Sequence, residues 1–192
     1  MSSTTVEESV EAVLRGGATV IQLREKNASS RELYELALRV KAITDGYGVP
    51  LIIDDRLDVA LAADAAGVHL GQSDLPCSAA RRILGDDKII GITAPTPELA
   101  VKAQADGADY IGVGAMFATS TKTDAKPNTR ETLAAVRAAV DMPIVIIGGV
   151  KRSHVLTFAG MGIDGAAVIS DIVADPDPES AAKEMRDILK NF

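Results

Sequence analysis

The sequence predicts an α/β fold, a TIM-type (βα)8 barrel that lacks its first β-strand, in one domain spanning residues 1–192. Short runs rich in β-branched residues alternate with helical patterns, which is typical of a parallel sheet with right-handed crossovers. These runs are continuously apolar, as in strands that are covered on both faces. Polar residues follow nearly every run, and a barrel brings all such strand ends to one mouth.

Seven strand-like runs support this fold class. They cover residues 19–23, 51–53, 68–70, 89–92, 110–113, 144–147 and 166–169. An open doubly wound sheet is the alternative arrangement, but it would gather ligand-binding residues at its switch point alone. The spread of polar residues over nearly all strand ends therefore favours the barrel.

Helix-start signals lie between the runs. Thr5 and Ser29 each stand three residues before a glutamate, which is the spacing of a capping box. Thr96 and Asp177 each precede a proline that suits the first position of a helix. Because the first element is a helix, the chain reads α(βα)7. A strand is expected before Thr5, so either the true start lies upstream or the barrel is incomplete. An incomplete barrel would leave two strand edges open to pairing with another chain.

The composition excludes several classes of function. The net charge of −7 argues against nucleic acid or an anionic membrane as a partner. No apolar run approaches the roughly 18 residues of a membrane helix. The single cysteine, Cys77, permits no internal disulfide, which suits a reducing compartment. We therefore expect a soluble cytoplasmic protein, and its oligomeric state, including a homo-oligomer, stays open.

Cations after the first run predict an anion site. Arg24 and Lys26 alternate beyond a buried strand, so that both can point into the mouth and bind a phosphate or pyrophosphate. A solvated cluster of loop charges is the alternative. Gln22 lies within the strand, where a buried amide needs hydrogen-bond partners.

Carboxylates after the next two runs predict a metal site. Asp54 and Asp55 end the second run, and Asp74 follows the third. Mg²⁺ is usually bound by one or two carboxylates together with substrate phosphates. The alternatives are that Asp54 and Asp74 cap helices. Their combination with the cations two strands away favours the metal.

Later strand ends predict a second phosphate site. Gly148 and Gly149 end the sixth run, and Ile169 and Ser170 end the seventh, which is the usual place of a barrel's backbone-built phosphate site. The polar stretch 118–124 is interpreted as a lid, with a plain flexible loop as the alternative. Thr93 offers a hydroxyl either to an anion or to a helix cap.

The two histidines and the cysteine give little support for a catalytic role. His69 lies inside a strand, so a satisfied core residue is favoured over a general base. His154 is expected on a helix surface. No histidine or second cysteine lies near Cys77 in sequence, so neither a nucleophilic nor a zinc-binding role is supported.

Several motifs, in this order, resemble those of the thiamine-phosphate synthase family. They are QLREK at 22–26, DR at 55–56, GVHLGQ at 67–72 with Asp74, DYIG at 109–112, TSTK at 119–122, GG at 148–149 and IS at 169–170. The resemblance covers nearly the whole chain. It implies a (βα)8 barrel that joins hydroxymethylpyrimidine diphosphate to thiazole phosphate and releases pyrophosphate with Mg²⁺. Small phosphorylated substrates are then the expected partners.

The resemblance also implies roles for individual residues. The pyrimidine diphosphate would be bound by Gln22, Leu23, Arg24, Glu25, Lys26, Asp54, Thr93 and Lys122. Among these, the catalytic residues would be Arg24, Lys26 and Lys122. The thiazole phosphate would be bound by Thr119, Ser120, Thr121, Gly148, Gly149, Ile169 and Ser170. Asp55 and Asp74 would bind Mg²⁺.

The chain departs from the family pattern at several positions. Asp54 stands where the family usually has asparagine, and its charge would repel a diphosphate unless a metal or a proton offsets it. Thr93 replaces the common serine and keeps the hydroxyl. Two alternatives are a thiazole tautomerase, whose relatives have histidine where this chain has Ala115, and a truncated phosphate-binding relative without activity. The Asp55 and Asp74 pair favours the synthase.

Overall fold

The structure is a computed structural model, and it describes residues 5–118, 128–190 and 192. Each of the seven predicted runs forms a strand in this part of the chain. The strands are β1 Ile21–Leu23, β2 Leu51–Asp54, β3 Gly67–Leu70, β4 Ile89–Thr93, β5 Tyr110–Val113, β6 Ile144–Ile147 and β7 Gly165–Ala167. The first and last runs were predicted too long, since β1 begins at Ile21 and β7 ends at Ala167.

Helices separate the strands, as the sequence predicts. They are α1 Val6–Arg15, α2 Ser30–Tyr47, α3 Leu57–Ala62, α4 Cys77–Leu84, α5 Pro97–Ala105, α6 Arg130–Ala139, α7 Arg152–Val155, α8 Ser170–Val173 and α9 Pro178–Leu189, with a 3-10 turn at Leu156–Phe158. Within the described residues, no helix is both long and apolar enough to span a membrane.

The predicted helix starts are present. The hydroxyls of Thr5 and Ser29 each accept a hydrogen bond from the N–H three residues on, where a glutamate completes the capping box. Thr96 and Asp177 cap α5 and α9, each of which begins with proline. Each such cap contributes about 1 kcal/mol to helix stability. These local signals explain why the element order could be predicted from sequence.

The sheet is parallel and follows the chain order. Every strand from β1 to β6 pairs in parallel with the next one, so β1 and β7 stand at the two ends of the order in the described part of the chain. A doubly wound sheet would reverse its order at a switch point, and this sheet does not. The sheet curls into a partial barrel, a TIM-like α/β architecture.

Alternate residues of each strand face opposite sides of the sheet. One set packs with the helices in a single hydrophobic core: Ile21, Leu23, Leu51, Ile53, Val68, Leu70, Ile90, Ile92, Ile111, Val113, Ile144 and Ile146. The intervening residues face the inside of the partial barrel. The apolar core therefore lies between sheet and helices, and the inner face carries polar side chains together with Ile52, Val145 and Ile147.

The two ends of the chain meet beside the sheet. Gly16 ends α1 against α9, so closely that a Cβ at this position would overlap with the backbone of Glu179. Arg15 Nε lies 2.7 Å from a carboxylate oxygen of Glu179, and Arg186 donates to the carbonyl of Gly17 over 2.7 Å. Helices α1 and α9 therefore pack together, and glycine is required at position 16 by this close approach.

Candidate active site

Polar residues lie side by side on the inner face of the sheet. The parallel register places Asp54 beside His69, His69 beside Gly91, and Gly91 beside Tyr110. We call these four residues the inner row. The row begins at Asp54, at the carboxyl end of β2, where a barrel of this kind forms its site, and it ends at Tyr110, the first residue of β5.

Asp54 contacts two predicted substrate-binding residues of the neighbouring strand β1, Gln22 and Arg24. Its Oδ1 accepts a hydrogen bond from Gln22 Nε2 at 2.5 Å, and its Oδ2 lies 2.8 Å from Arg24 Nε. The alternative of a helix cap is wrong, because α3 begins after Arg56 and has no side-chain cap. Asp54 therefore pairs with a cation, which offsets the repulsion that its negative charge would exert on a diphosphate.

Arg24 keeps an unsatisfied donor at this site. Its Nη2 is buried and has no hydrogen-bond partner among the residues that the structure describes. A buried guanidinium nitrogen without a partner is costly, and an anionic ligand would satisfy it. Lys26 and Glu25 are exposed beyond it, and the Glu25 carboxylate accepts from the N–H of Asn27. Leu23 is buried in the core, so only its backbone could contact a ligand.

Asp55 has an uncommon backbone conformation. Its φ of 63° lies in the left-handed region, and the N–H of Arg56 donates back to the carbonyl of Asp54 over 2.7 Å. The Asp55 N–H donates in turn to the carbonyl of His69 on β3. A non-glycine residue in this region costs of order 1 kcal/mol and is held there by its surroundings. The tight turn redirects the chain directly after β2, at the residue predicted to bind a metal.

Asp74 closes the loop after β3. Its Oδ2 accepts from the N–H of Gly71 at 2.6 Å, and its own N–H donates to the Gly71 carbonyl at 3.2 Å. It does not cap the next helix, because α4 follows Pro76 without a side-chain cap. Gln72 from the same loop donates to the carbonyl of Thr93 at 2.6 Å. The loop therefore holds the Asp74 carboxylate at the β3 end of the mouth.

A hydrogen-bonded trio occupies the inner face beside Asp54. His69 Nδ1 lies 2.9 Å from the hydroxyl of Tyr110, and its Nε2 lies 2.9 Å from Thr93 Oγ1. The Tyr110 ring reaches His69 by crossing over Gly91, where a Cβ would overlap with the ring. Burial, and then the negative charge of Asp54, raise the pKa of Tyr110 above its ordinary value. His69 is thus a satisfied buried residue, as expected.

Tyr110 is a residue of this site that the sequence analysis did not single out. The available signal was an aromatic residue at the start of an aliphatic strand, two positions before a glycine. Thr93 does not cap a helix, since Thr96 caps α5. Its hydroxyl instead joins the trio.

The second predicted site lies at β6 and β7. Gly148 and Gly149 have φ values of 87° and 66°, in the left-handed region that glycine adopts without strain. Ile169 is exposed, and Ser170 begins α8. The strands β6 and β7 pair directly, so the two strand ends are neighbours. Four further predicted residues, Thr119, Ser120, Thr121 and Lys122, lie outside the described residues.

The family is decided by comparison with known proteins. A family model described as "Thiamine monophosphate synthase" matches residues 1–172, most of the chain. The chain belongs to this family. The thiamine-phosphate synthase of Ruminiclostridium cellulolyticum is 52% identical over 191 residues, covering 100% of this chain and 91% of the relative. That of Clostridium beijerinckii is 50% identical over 186 residues, covering 97% and 89%.

Solved structures agree with the fold of the thiamine monophosphate synthase family. The thiamine phosphate pyrophosphorylase of Pyrococcus furiosus superposes with a TM-score of 0.90 at 40% identity, covering 97% of this chain and 90% of that one. A 3-hexulose-6-phosphate synthase, at 18% identity and a TM-score of 0.68, shares the fold alone. The relatives that are about 50% identical are named thiamine-phosphate synthases, so neither the tautomerase nor the inactive relative is supported.

The sequence predicts Asp55 and Asp74 as the donors for a metal. The described residues contain no group of three or more His, Cys, Asp or Glu side chains placed to hold an ion. Mg²⁺ does not need one, because water and substrate phosphates commonly complete its shell. The two carboxylates follow the paired strands β2 and β3, while both oxygens of Asp54 already have partners. The residues present therefore fit Mg²⁺ bound together with a phosphorylated substrate.

Two other reactive residues are not among the predicted ligand-binding residues. Cys77 is buried and contacts the carbonyl of Asp106 at 3.5 Å, and burial raises the pKa of its thiol, which disfavours a nucleophilic role. His154 was expected on a helix surface, but its ring packs on Phe117 with centroids 4.0 Å apart.

Proposed function

We propose that the protein condenses 4-amino-2-methyl-5-hydroxymethylpyrimidine diphosphate with thiazole phosphate, giving thiamine phosphate and pyrophosphate, as a Mg²⁺-dependent transferase. Membership of the thiamine monophosphate synthase family over most of the chain is the observation that carries the proposal. The arrangement of cations, carboxylates and hydroxyls at neighbouring strand ends supports it.

The reaction needs charge stabilisation rather than a base. The bond between the pyrimidine methylene carbon and the diphosphate oxygen breaks, and the electron pair leaves with the diphosphate. The thiazole nitrogen then forms its bond to the same carbon with its lone pair. No proton has to be removed for this exchange. The protein must therefore bind the growing negative charge and hold the nucleophile in line.

The first half-site would hold the pyrimidine diphosphate. Arg24 supports this role, because its buried Nη2 has no hydrogen-bond partner among the described residues and a diphosphate oxygen would supply one. Gln22 and the Thr93 hydroxyl lie on the same inner face, and Lys26 extends beyond the strand. Lys122 completes the predicted set. Leu23 and Glu25 would contribute through the backbone and the loop.

The metal would belong to the first half-site, because Asp55 and Asp74 follow the neighbouring strands β2 and β3. Asp55 and Asp74 would hold Mg²⁺, and Mg²⁺, when bound, would supply positive charge to the leaving diphosphate. The Asp55 turn and the Asp74 loop would keep both carboxylates at the mouth before substrate arrives. Preorganised ligands reduce the cost of ordering at the moment of reaction.

The second half-site would hold the thiazole phosphate. Gly148 and Gly149 would present backbone N–H groups, and Ile169 and Ser170 would face them across the paired strands β6 and β7. Thr119, Ser120 and Thr121 complete the predicted set.

We further propose a cellular location, a class of substrate and a place for an eighth strand. A cytoplasmic enzyme that acts on small phosphorylated substrates, without nucleic acid or membrane partners, agrees with the net charge of −7. We also propose that the space between β7 and β1 in the sheet order is where an eighth strand of the barrel belongs.

Pyrophosphate release tests the function directly. With both substrates and Mg²⁺, the purified protein should release pyrophosphate, and either substrate alone should not suffice. Substrate binding without turnover would contradict the proposal.

Replacing Asp74 tests the metal site. Asp74→Asn keeps an oxygen that can accept from the Gly71 N–H, but it removes the charge that would bind Mg²⁺. We expect turnover to fall at least about 100-fold, since metals supply several kcal/mol of transition-state stabilisation. The melting temperature should stay near that of the unaltered protein. Asp86→Asn, in the exposed segment after α4, is the matched control and should keep full activity. Unchanged turnover in Asp74→Asn would remove Asp74 from the metal site.

A further inference from the structure

Arg152 makes five hydrogen bonds beside the second half-site. The backbone N–H and the Nε of Arg152 both donate to Asp171 Oδ2, at 2.9 and 3.0 Å. Its Nη2 donates to the Asp171 carbonyl at 3.0 Å and to Asp175 Oδ2 at 2.7 Å, and its Nη1 donates to Glu184 at 3.0 Å. One side chain thus connects the first turn of α7 with α8 and α9.

The Arg152–Asp171 contact lies directly beside the second half-site. Arg152 lies three residues after Gly149, and Asp171 directly follows Ser170. The Arg152–Asp171 contact therefore joins the segments that carry the two strand ends of the thiazole phosphate half-site. Since β6 and β7 themselves end before these residues, the sheet alone does not fix the loops relative to each other.

The same short helix contacts a third segment near this half-site. The ring of Phe117 packs on His154 of α7 and, edge to face, on Phe158, with centroids 4.0 and 5.9 Å apart. The Phe117 N–H donates to the carbonyl of Gly148 at 3.0 Å. A Cβ at Gly149 would lie 2.9 Å from the Phe117 Cβ. Any shift of α7 would therefore move the glycine turn and its neighbours together.

Charge gives the contact a second effect. Asp171 places a carboxylate next to Ser170, where a substrate phosphate would bind. Arg152 neutralises this carboxylate through its Nε, and both side chains are partly buried, so that solvent screens the pair less than a fully exposed one. Without Arg152, an unpaired negative charge would face the phosphate.

We propose that Arg152 and Asp171 are positioning residues of the thiazole phosphate half-site, which hold the loops after β6 and β7 in register and neutralise the carboxylate beside Ser170. The inference rests on the proposed function, because that function assigns the phosphate to these loops. Neither residue is required to touch the substrate.

Steady-state kinetics with the two substrates tests the inference. Arg152→Met and Asp171→Ala should each raise the KM for thiazole phosphate about tenfold or more, because small displacements of a binding loop have large effects. The KM for the pyrimidine diphosphate should stay within about twofold. Since both substitutions break the same contact, the double variant should be no worse than Arg152→Met alone.

Asp175→Ala is the matched control. Asp175 also accepts two hydrogen bonds, one from Arg152 and one from the Asp177 N–H, and its side chain is 25% exposed against 17% for Asp171. This variant should lose comparable stability and yet keep the KM for thiazole phosphate. Equal changes in both KM values, or a rise in the thiazole phosphate KM in Asp175→Ala, would reduce Arg152 to a structural brace and overturn the inference.

The failure of the inference is separable from that of the proposed function. If the unaltered protein does not release pyrophosphate, the proposed function fails. Calorimetry with thiazole phosphate alone then compares the same variants by Kd. If Arg152→Met does not fold, as judged by circular dichroism, Asp171→Ala decides the question. An unchanged thiazole phosphate affinity in Asp171→Ala overturns the inference in either case.

Discussion

Replacing Asp54 with alanine should lower the unfolding free energy by about 3 kcal/mol, whereas asparagine should lower it by about 1 kcal/mol. Alanine leaves Gln22 Nε2 and Arg24 Nε without the acceptors that now lie 2.5 and 2.8 Å away. Breaking a buried ion pair costs about 3–5 kcal/mol. The lower end applies here, because the Arg24 side chain is 20% exposed and the Asp54 side chain 7%.

Asparagine preserves the bonds but not the charge. Its carbonyl oxygen can accept from Arg24, and its amide can donate to Gln22 once the Gln22 amide has flipped. The remaining cost is that of weakening charge-assisted hydrogen bonds to ordinary ones, about 1 kcal/mol. The freed positive charge of Arg24 should then lower the KM for the pyrimidine diphosphate by about two- to fivefold.

Urea denaturation and steady-state kinetics at pH 7 measure both effects of substitution at Asp54. The ordering of the two variants in stability is the critical result, with similar denaturant slopes in both. Equal losses in Asp54→Ala and Asp54→Asn would refute the geometry, since they would show that the hydrogen bonds to Gln22 and Arg24 contribute nothing beyond the charge.

Two further predictions follow from local geometry. Gly91→Ala should lower the unfolding free energy by about 2–4 kcal/mol, because the added Cβ overlaps with the Tyr110 ring and displaces its hydroxyl from the trio. Gly46→Ala is the control: its Cβ meets nothing within 4 Å, so the same urea titration should show no loss of unfolding free energy. Hydrogen bonds, first from the Lys183 ammonium, lower the pKa of Asp187 from 3.8 to about 2, so its stabilising effect is complete above pH 3.8 and is lost as the pH falls towards 2. As the pH falls over that range, the melting temperature of Asp187→Asn should therefore fall less steeply than that of the unaltered protein. Parallel plots of melting temperature against pH for the two proteins would contradict the lowered pKa of Asp187.

The fold was predictable because its signals are local. A β-branched run or a capping box is contained within a few residues, and the seven runs and the caps at Thr5 and Ser29 all appear where expected. Errors arose at element ends, where β7 stops at Ala167 and Ser170 already belongs to a helix. Propensity there favours continuing a strand of Val and Ile, and tertiary context ends it.

The candidate site was predictable in its residue types but not in its contacts. That Asp54 pairs with Arg24 depends on the register between β1 and β2, which no short segment encodes. The left-handed conformation of Asp55 is likewise unfavourable locally and is imposed by hydrogen bonds to its neighbours. The crossing of Tyr110 over Gly91 requires knowledge of which strands are adjacent. Non-local pairing therefore decides the chemistry of the inner face.

The contact of α1 with α9 has a consequence for the order of folding. Arg15 and Glu179 are 164 positions apart in the sequence, yet their side chains meet. During synthesis, α1 precedes the seven described strands and cannot contact Glu179 until the last of them, β7, has been made. The loop closed by the contact is also among the longest that the chain can form, which is typical of slow steps in folding. The contact between α1 and α9 should therefore form late in folding, after the strands of the sheet have been synthesised.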